Sequence, residues 1–303
     1  MRPLTCLLAL CAAALPPASG AADPAPAPVV LPRAEQFDLT SKAGRDYRVF
    51  IAGPGGPAPA AGYPVVYLTD GNGNFPVLYS AVRRQSGADL VAVVVGVGYP
   101  TDDARAHHRR RAFDLTPPAS PAWARKFPDG GLVEKTGGHE EFLAFVESVV
   151  KPLVAKKYSI DRNRQALFGH SLGGLFALRV LFTKPNAFRT YVASSPSVWW
   201  DGRAVLGEAE AFVRKFAETG VSARLLVTAG EWDQKPGPGL PAGVAAVLRE
   251  QRIVDDARGL VARLEKARVK GLSVSFREFP EEDHGSVVLP AASRGVRLAL
   301  ETP

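Results

Sequence analysis

Gly169-His170-Ser171-Leu172-Gly173 constrains this chain more than any other stretch. Gln165 to Phe168 reads as a short buried strand, and Leu172 to Phe182 reads as a buried helix. A strand, G-x-S-x-G and a helix in that order place the serine on a sharp turn. Such a turn tolerates no Cβ on its flanks, so Gly169 and Gly173 answer a steric need. The helix start beneath it favours developing negative charge. A glycine-rich helix start could produce the pentapeptide by chance. The strand before it, the apolar helix after it and a second glycine, Gly174, favour Ser171 as a nucleophile.

The rest of the chain alternates strand and helix patterns. Glu35–Lys42 and Asp46–Ala52 flank Ala43-Gly44 as an antiparallel hairpin. Tyr63–Leu68 and the valine-rich Leu90–Val97 read as buried strands, with a helix over Phe75–Arg84 between them. Gly98–Gly138 is an irregular polar stretch, too long for a bare loop, and reads as a lid-like excursion. Helices follow over Glu140–Tyr158, interrupted at Pro152, and over Arg203–Glu218, most of Gly243–Ala267 and Val287–Leu300. Strands are expected at Thr190–Ser194, Ala223–Val227 and Leu272–Phe279. This is an α/β pattern: a mostly parallel central sheet, helices on both faces and an antiparallel N-terminal hairpin. Reactive groups then belong at the carboxyl ends of the strands.

A serine nucleophile needs a base and a group to orient it. Of five histidines, His284 lies just past the last strand, after the nucleophile and close to the C-terminus. The orienting carboxylate should follow the strand ending at Val227; Glu231 is preferred as first after the glycine turn, with Asp233 as the alternative. Two backbone N–H groups should stabilise the oxyanion. Leu172 supplies one, and Gly71 or Asn72 after the strand ending at Leu68 the other. Trp199 and Trp200 follow a strand at the same edge and either wall a substrate pocket or pack in the core. Arg111, in the run Arg109–Arg111, is a candidate substrate contact for an anionic group; a solvated charge run and a structural role beside Phe113 compete with it. Asp102, Asp103, His107 and His108 lack a recognised metal spacing.

Met1–Gly20 reads as a signal peptide: Arg2, an apolar run from Leu4 to Leu15, then Ala18-Ser19-Gly20 before Ala21. Residues 21–33 read as a disordered Pro/Ala leader and 34–303 as one catalytic domain, for which 46% hydrophobic residues in a 303-residue chain are ample. Cys6 and Cys11 both fall in the signal, so the exported chain is expected to have no disulfide or thiol chemistry. A formal charge of +7 mildly favours anionic ligands. No phosphate loop or dinucleotide fingerprint occurs, so neither cofactor nor metal is expected, nor a nucleic-acid partner or stable membrane anchor. The expected location is periplasmic or secreted.

Together these residues resemble the putative-esterase branch of the α/β-hydrolases, which includes enterochelin-type siderophore esterases, esterase D and mycolyltransferases. The resemblance rests on Tyr67 to Asn72, Arg111 with Asp114-Leu115-Thr116-Pro117, Gly138 to Pro152, Phe168 to Gly174, Ser194 to Asp201, and Asp283-His284. It is strongest towards exported, periplasmic siderophore hydrolases. It implies an α/β-hydrolase fold, Ser171 as nucleophile, His284 as base and Gly71 with Leu172 as oxyanion donors. It also implies that a Ser–His pair can work without a well-placed acid. The expected function is therefore a serine carboxylic-ester hydrolase forming an acyl-Ser171 intermediate. Its substrate would be a small ester, with siderophore catecholate lactones and their ferric forms as candidates. Acyl transfer on the same fold, or an inactive binding protein, are the alternatives.

Overall fold

The computed structural model describes residues 26–85, 87, 89–124 and 135–302. The signal-peptide reading of Met1–Gly20 lies outside the described residues, as does the middle of the excursion, 125–134. Leu31–Pro303 form one compact unit.

Its centre is an eight-stranded sheet in the order β1-β2-β4-β3-β5-β6-β7-β8. The strands are β1 (Ala34–Thr40), β2 (Asp46–Ala52), β3 (Tyr63–Thr69), β4 (Val93–Gly98), β5 (Ile160–His170), β6 (Thr190–Ser194), β7 (Ala223–Gly230) and β8 (Leu272–Phe279). β1 and β2 pair antiparallel, β2 joins β4 antiparallel, and β4 through β8 run parallel. Every residue of β3, β4 and β6 is buried. Their mostly uncharged, largely apolar runs therefore serve two buried faces at once, as central parallel strands must.

Helices cover both faces. On one side, α1 (Gly71–Gln85) and α10 (Val288–Leu300) pack Phe75, Leu78, Val82, Ala291 and Val296 against Val66, Leu68, Val94 and Phe168. The other side carries α2 (Ala104–Asp114), α4 (His139–Phe145), α5 (Lys151–Lys157), α6 (Leu172–Thr183), α7 (Ala204–Phe216) and α9 (Ile253–Ala267) over Tyr67, Val95, Leu167, Tyr191 and Val227. The remaining helices are the short α3 (Pro121–Ala124) and α8 (Ala242–Gln251). Each large side chain taken out of water contributes about 1.5–3 kcal/mol. In α6 every residue from Leu172 to Phe182 is buried, so this helix is clamped under the elbow that precedes it.

Three local readings change. The excursion is partly ordered, with Asp103 capping α2 through Ala106 N–H at 2.5 Å. The interruption at Pro152 is a π-helical turn, Val146–Val150, in which Lys151 N–H reaches Val146 O. A proline ring collides with the carbonyl four residues back, and a wider turn relieves it. The expected helix over Gly243–Ala267 is two helices, because Arg252 adopts a left-handed φ of 52° between them.

The elbow itself is sterically closed. A Cβ on Gly169 would lie 1.9 Å from Gly173 O. Gly169→Ala is therefore expected to destabilise the fold by about 3 kcal/mol or more, since neither backbone segment can yield cheaply. Thermal unfolding should show a Tm lower by roughly 10 °C. An unchanged Tm would contradict the close approach.

Candidate active site

Ser171 sits at φ 59°, ψ −118°, between the end of β5 and the start of α6. A β-carbon residue pays strain in this region, and such strain persists where the surroundings over-determine it. Here Ser171 N–H donates to Ser194 O at 2.9 Å, while Leu175 N–H and Ser197 N–H donate to Ser171 O at 3.0 and 3.1 Å. The hydroxyl lies 3.5 Å from Ser197 Oγ.

The donors expected for an oxyanion both stand in first helical turns, where N–H groups have no intrahelical partner. Leu172 opens α6. Gly71 and Asn72 open α1, which begins four residues earlier than the sequence suggested. The two turns adjoin: a Cβ on Gly173 would lie 2.2 Å from Thr69 Oγ1, at the end of β3. The α1 turn is held from two directions. The Asn72 side chain accepts from Tyr99 N–H at 2.8 Å and donates to Tyr99 O at 2.9 Å, tying it to the end of β4. Asp70, left-handed at φ 55°, accepts Gly73 and Asn74 N–H on its carbonyl.

Asp70 also receives Arg111 bidentately, Nε to Oδ1 at 2.7 Å and Nη2 to Oδ2 at 3.1 Å. Both side chains are nearly buried. Burial alone would raise the Asp70 carboxyl, but the adjacent guanidinium outweighs it and holds the group below the ordinary carboxylate value. Arg111 was a candidate substrate contact, with a solvated charge run and a structural role as the competing readings; the structure engages it with Asp70, beside the α1 turn. Its neighbours in the basic run diverge: Arg110 lies over the Tyr47 and Tyr99 rings, and His107 meets the Tyr99 ring edge-on.

His284 lies in the loop after β8. Asp283 shapes that loop, its Oδ1 accepting Gly285 and Ser286 N–H, both at 2.8 Å. The His284 ring packs 4.6 Å from the ring of His170, the residue before Ser171. Its Nδ1 donates to Asp233 Oδ1 at 2.6 Å. The proton on Nδ1 leaves Nε2 as the basic nitrogen. Asp233 is fully buried, and its other oxygen accepts Ser195 Oγ at 2.5 Å and Gly230 N–H at 2.7 Å. Burial pushes its carboxyl up, yet these bonds and His284 outweigh that and hold it below the usual value.

This reverses the preference for Glu231. That carboxylate is tied to Lys235 Nζ at 3.1 Å and Glu281 N–H at 3.2 Å, away from His284. Of the two readings open for Trp200, a pocket wall or core, the structure shows the second: only 2% of it is exposed, so it is not a substrate contact. Trp199 is half-buried and lines a cavity with Trp123.

Three serines went unnoticed as site residues. Ser194, Ser195 and Ser197 are all buried, and they reach His170, Asp233 and Ser171 respectively. Three hydroxyls within four residues, Ser194-Ser195-Pro196-Ser197, at a strand's carboxyl end were the available signal. His170 Nδ1 lies 3.1 Å from Ser194 Oγ. Burial, then the neighbouring His284, push its pKa down to about 3, so it packs as a neutral ring. His139 is engaged elsewhere, its Nε2 3.2 Å from Arg179.

A mostly parallel sheet with a left-handed serine elbow after β5, and a carboxylate–histidine pair from the ends of β7 and β8, defines an α/β-hydrolase. A family model described as putative esterase matches residues 40–255, and the chain belongs to that family. It is 39% identical over 261 residues to a ferri-bacillibactin esterase of Bacillus subtilis, covering 84% of this chain and 85% of that one. It is 36% identical over 299 residues to a siderophore triacetylfusarinine C esterase of Aspergillus fumigatus, covering 91% and 96%. Among solved structures it is similar to the BES protein of Bacillus cereus, with a TM-score of 0.78 and 34% identity over 92% of this chain and 100% of that one.

Proposed function

We propose that this enzyme hydrolyses the ester bonds of a siderophore, taking catecholate lactones and their ferric forms as substrates. The observation that carries the catalytic reading is the 2.6 Å contact of His284 with buried Asp233, made where the His284 ring stands 4.6 Å from that of His170, the residue before Ser171. His284 Nε2 takes the Ser171 proton as Oγ attacks the ester carbonyl. The N–H groups of Leu172 and Gly71 receive the charge that develops on the carbonyl oxygen. Asp233 holds the imidazole in its working tautomer and stabilises the imidazolium. The same proton then passes to the leaving alcohol, and water repeats the sequence on the acyl-serine. The chemistry asks for no cofactor; iron, where present, arrives with the substrate. Support for a siderophore comes from relatives named for siderophore esters, one of them for an iron-loaded form.

A panel of p-nitrophenyl esters of graded chain length, beside a ferric catecholate trilactone, tests this reading. The trilactone is expected to show the highest kcat/KM. Hydrolysis of the simple esters with none of the trilactone would overturn the substrate class and leave the esterase chemistry standing.

The same proposal places the protein outside the cytoplasm, as a soluble exported chain. Among the described residues no helix is long and apolar enough to cross a membrane. Intact mass spectrometry of exported material is expected to give a chain beginning near Ala21 and containing no cysteine. A retained, lipid-modified Cys11 would instead anchor the protein to a membrane.

A further inference from the structure

Three strand ends meet at Asp233, and one of them reaches it through a strained residue. Asp233 closes the 3-10 turn Glu231–Asp233, just past β7, and is fully buried. Its Oδ1 meets His284 Nδ1 at 2.6 Å. Its Oδ2 accepts Ser195 Oγ at 2.5 Å and Gly230 N–H at 2.7 Å. The last torsion of an aspartate is broad and roughly two-fold, so it does not by itself set the plane of the carboxylate. The donors on Oδ2 must set it. Gly230 opens the same turn as Asp233 and moves with it. Ser195 is 38 residues away and holds the carboxylate from the end of β6, a separate strand.

Ser195 keeps a conformation that a side chain makes costly. Its φ is 41°, in the left-handed region, and Pro196 after it restricts it further. Such strain persists where the surroundings over-determine the backbone, and it clusters at functional sites. Here Ser195 N–H donates to Thr228 O of β7 at 2.7 Å. From the other side α6 presses close: a Cβ on Gly174 would lie 2.9 Å from Ser194 O and 3.0 Å from Pro196 Cα. Glycine adopts a positive φ without steric cost. A serine stands here instead, and its buried hydroxyl goes to Asp233.

We propose that Ser195 is a positioning residue for Asp233: its hydroxyl fixes the plane of the carboxylate and, through Oδ1, the aim of His284. The assignment rests on the ester-hydrolase reading above and adds a fourth side chain to it. The Asp233–His284 pair carries one negative charge while the imidazole is neutral and none once it is protonated. A donor on Oδ2 favours the charged state. Without Ser195 Oγ the pair therefore takes up its proton at higher pH. The other groups around the pair are already engaged. His170 is neutral, and Asp283, on the loop of His284, accepts Gly285 and Ser286 N–H. Arg111 and Asp70, which face His170, bond each other.

Ser195→Ala and Ser195→Gly test this together, because alanine keeps the strain and loses the hydroxyl, while glycine loses both. Turnover of p-nitrophenyl acetate is measured across pH for both, for Asp233→Asn and for Ser195→Ala/Asp233→Asn, each with a melting curve. Both serine variants are expected to lose about tenfold or more in kcat, as a slightly misplaced catalytic group does, with KM within about twofold of wild type. Their acid limb of kcat/KM should move up by about half a pH unit or more. Added to Asp233→Asn, Ser195→Ala should cost less than about twofold, since both act through one carboxylate. If Ser195→Ala fails to fold, the unstrained glycine variant decides alone. A wild-type rate in Ser195→Gly overturns the proposal, as it leaves the hydroxyl without a role. So does a lowered rate with an unmoved acid limb and additive losses, which a merely structural serine would give. Ser195 variants at the wild-type rate beside an Asp233→Asn loss of about 10⁴ would remove Ser195 and leave the triad standing. Asp233→Asn near wild type, or a wild type that turns over no ester, would sink the triad and Ser195 together.

Discussion

Ser171→Ala is expected to lower kcat by on the order of 10⁶ on any ester the enzyme accepts, which is what removal of a serine nucleophile costs in other hydrolases. The fold should survive. Alanine meets the same left-handed backbone at this position as serine does, and the bonds that hold the elbow are made by its backbone N–H and carbonyl. The hydroxyl's contact is a long 3.5 Å approach to Ser197, so little stability goes with it. The measurement is turnover of a p-nitrophenyl ester beside a melting curve, on protein purified free of host esterases. Activity near wild type with an unchanged melt would mean that another residue attacks the carbonyl.

The second large effect lies in the group that moves the proton, and it divides two carboxylates two residues apart. His284→Ala should cost about as much as loss of the nucleophile, because base and nucleophile act as one unit. Asp233→Asn should lower kcat by about 10⁴, by stabilising the wrong tautomer. It should also lower stability, since Ser195 Oγ and Gly230 N–H both donate to Asp233 Oδ2 inside the protein. Glu231→Ala should stay within about twofold of wild type, as a surface change away from such features usually does. Its partners are Lys235 and a loop N–H, not the imidazole. Wild type should gain kcat/KM as pH rises on the acid side, and that rise should vanish in His284→Ala. If Glu231→Ala proves as damaging as Asp233→Asn, the imidazole exchanges partners during turnover. If His284→Ala keeps most of the rate, the base lies on another element.

Arg111 shows why a substrate contact and a structural cation look alike in a sequence. Its partner Asp70 is 41 residues away, and α2 must pack across the end of β3 before the two meet. With both oxygens of Asp70 engaged, the guanidinium steadies the left-handed residue just before Gly71. Its influence on the reaction therefore runs through the position of the α1 N–H groups. Trp199 and Trp200 divide in the same way. They are adjacent in the chain, yet one lines a cavity and the other is core.

What the sequence by itself determined were features carried by contiguous residues. The strand, elbow and helix around Ser171 follow from apolar runs and from glycines that no other residue can replace. The parallel sheet follows from Val-rich strands alternating with amphipathic helices, and His284 from its place after the last strand. Only the tertiary structure decided which carboxylate meets His284. Glu231 and Asp233 lie in one 3-10 turn, Glu231–Asp233. With three residues per turn, side chains two apart point about 120° away from each other. One therefore faces solvent and the other the interior, where Ser195 from the end of β6 completes its hydrogen bonds. Local pattern cannot encode that choice, because its energy comes from a buried charge that is tolerable only where three separate strand ends converge on it.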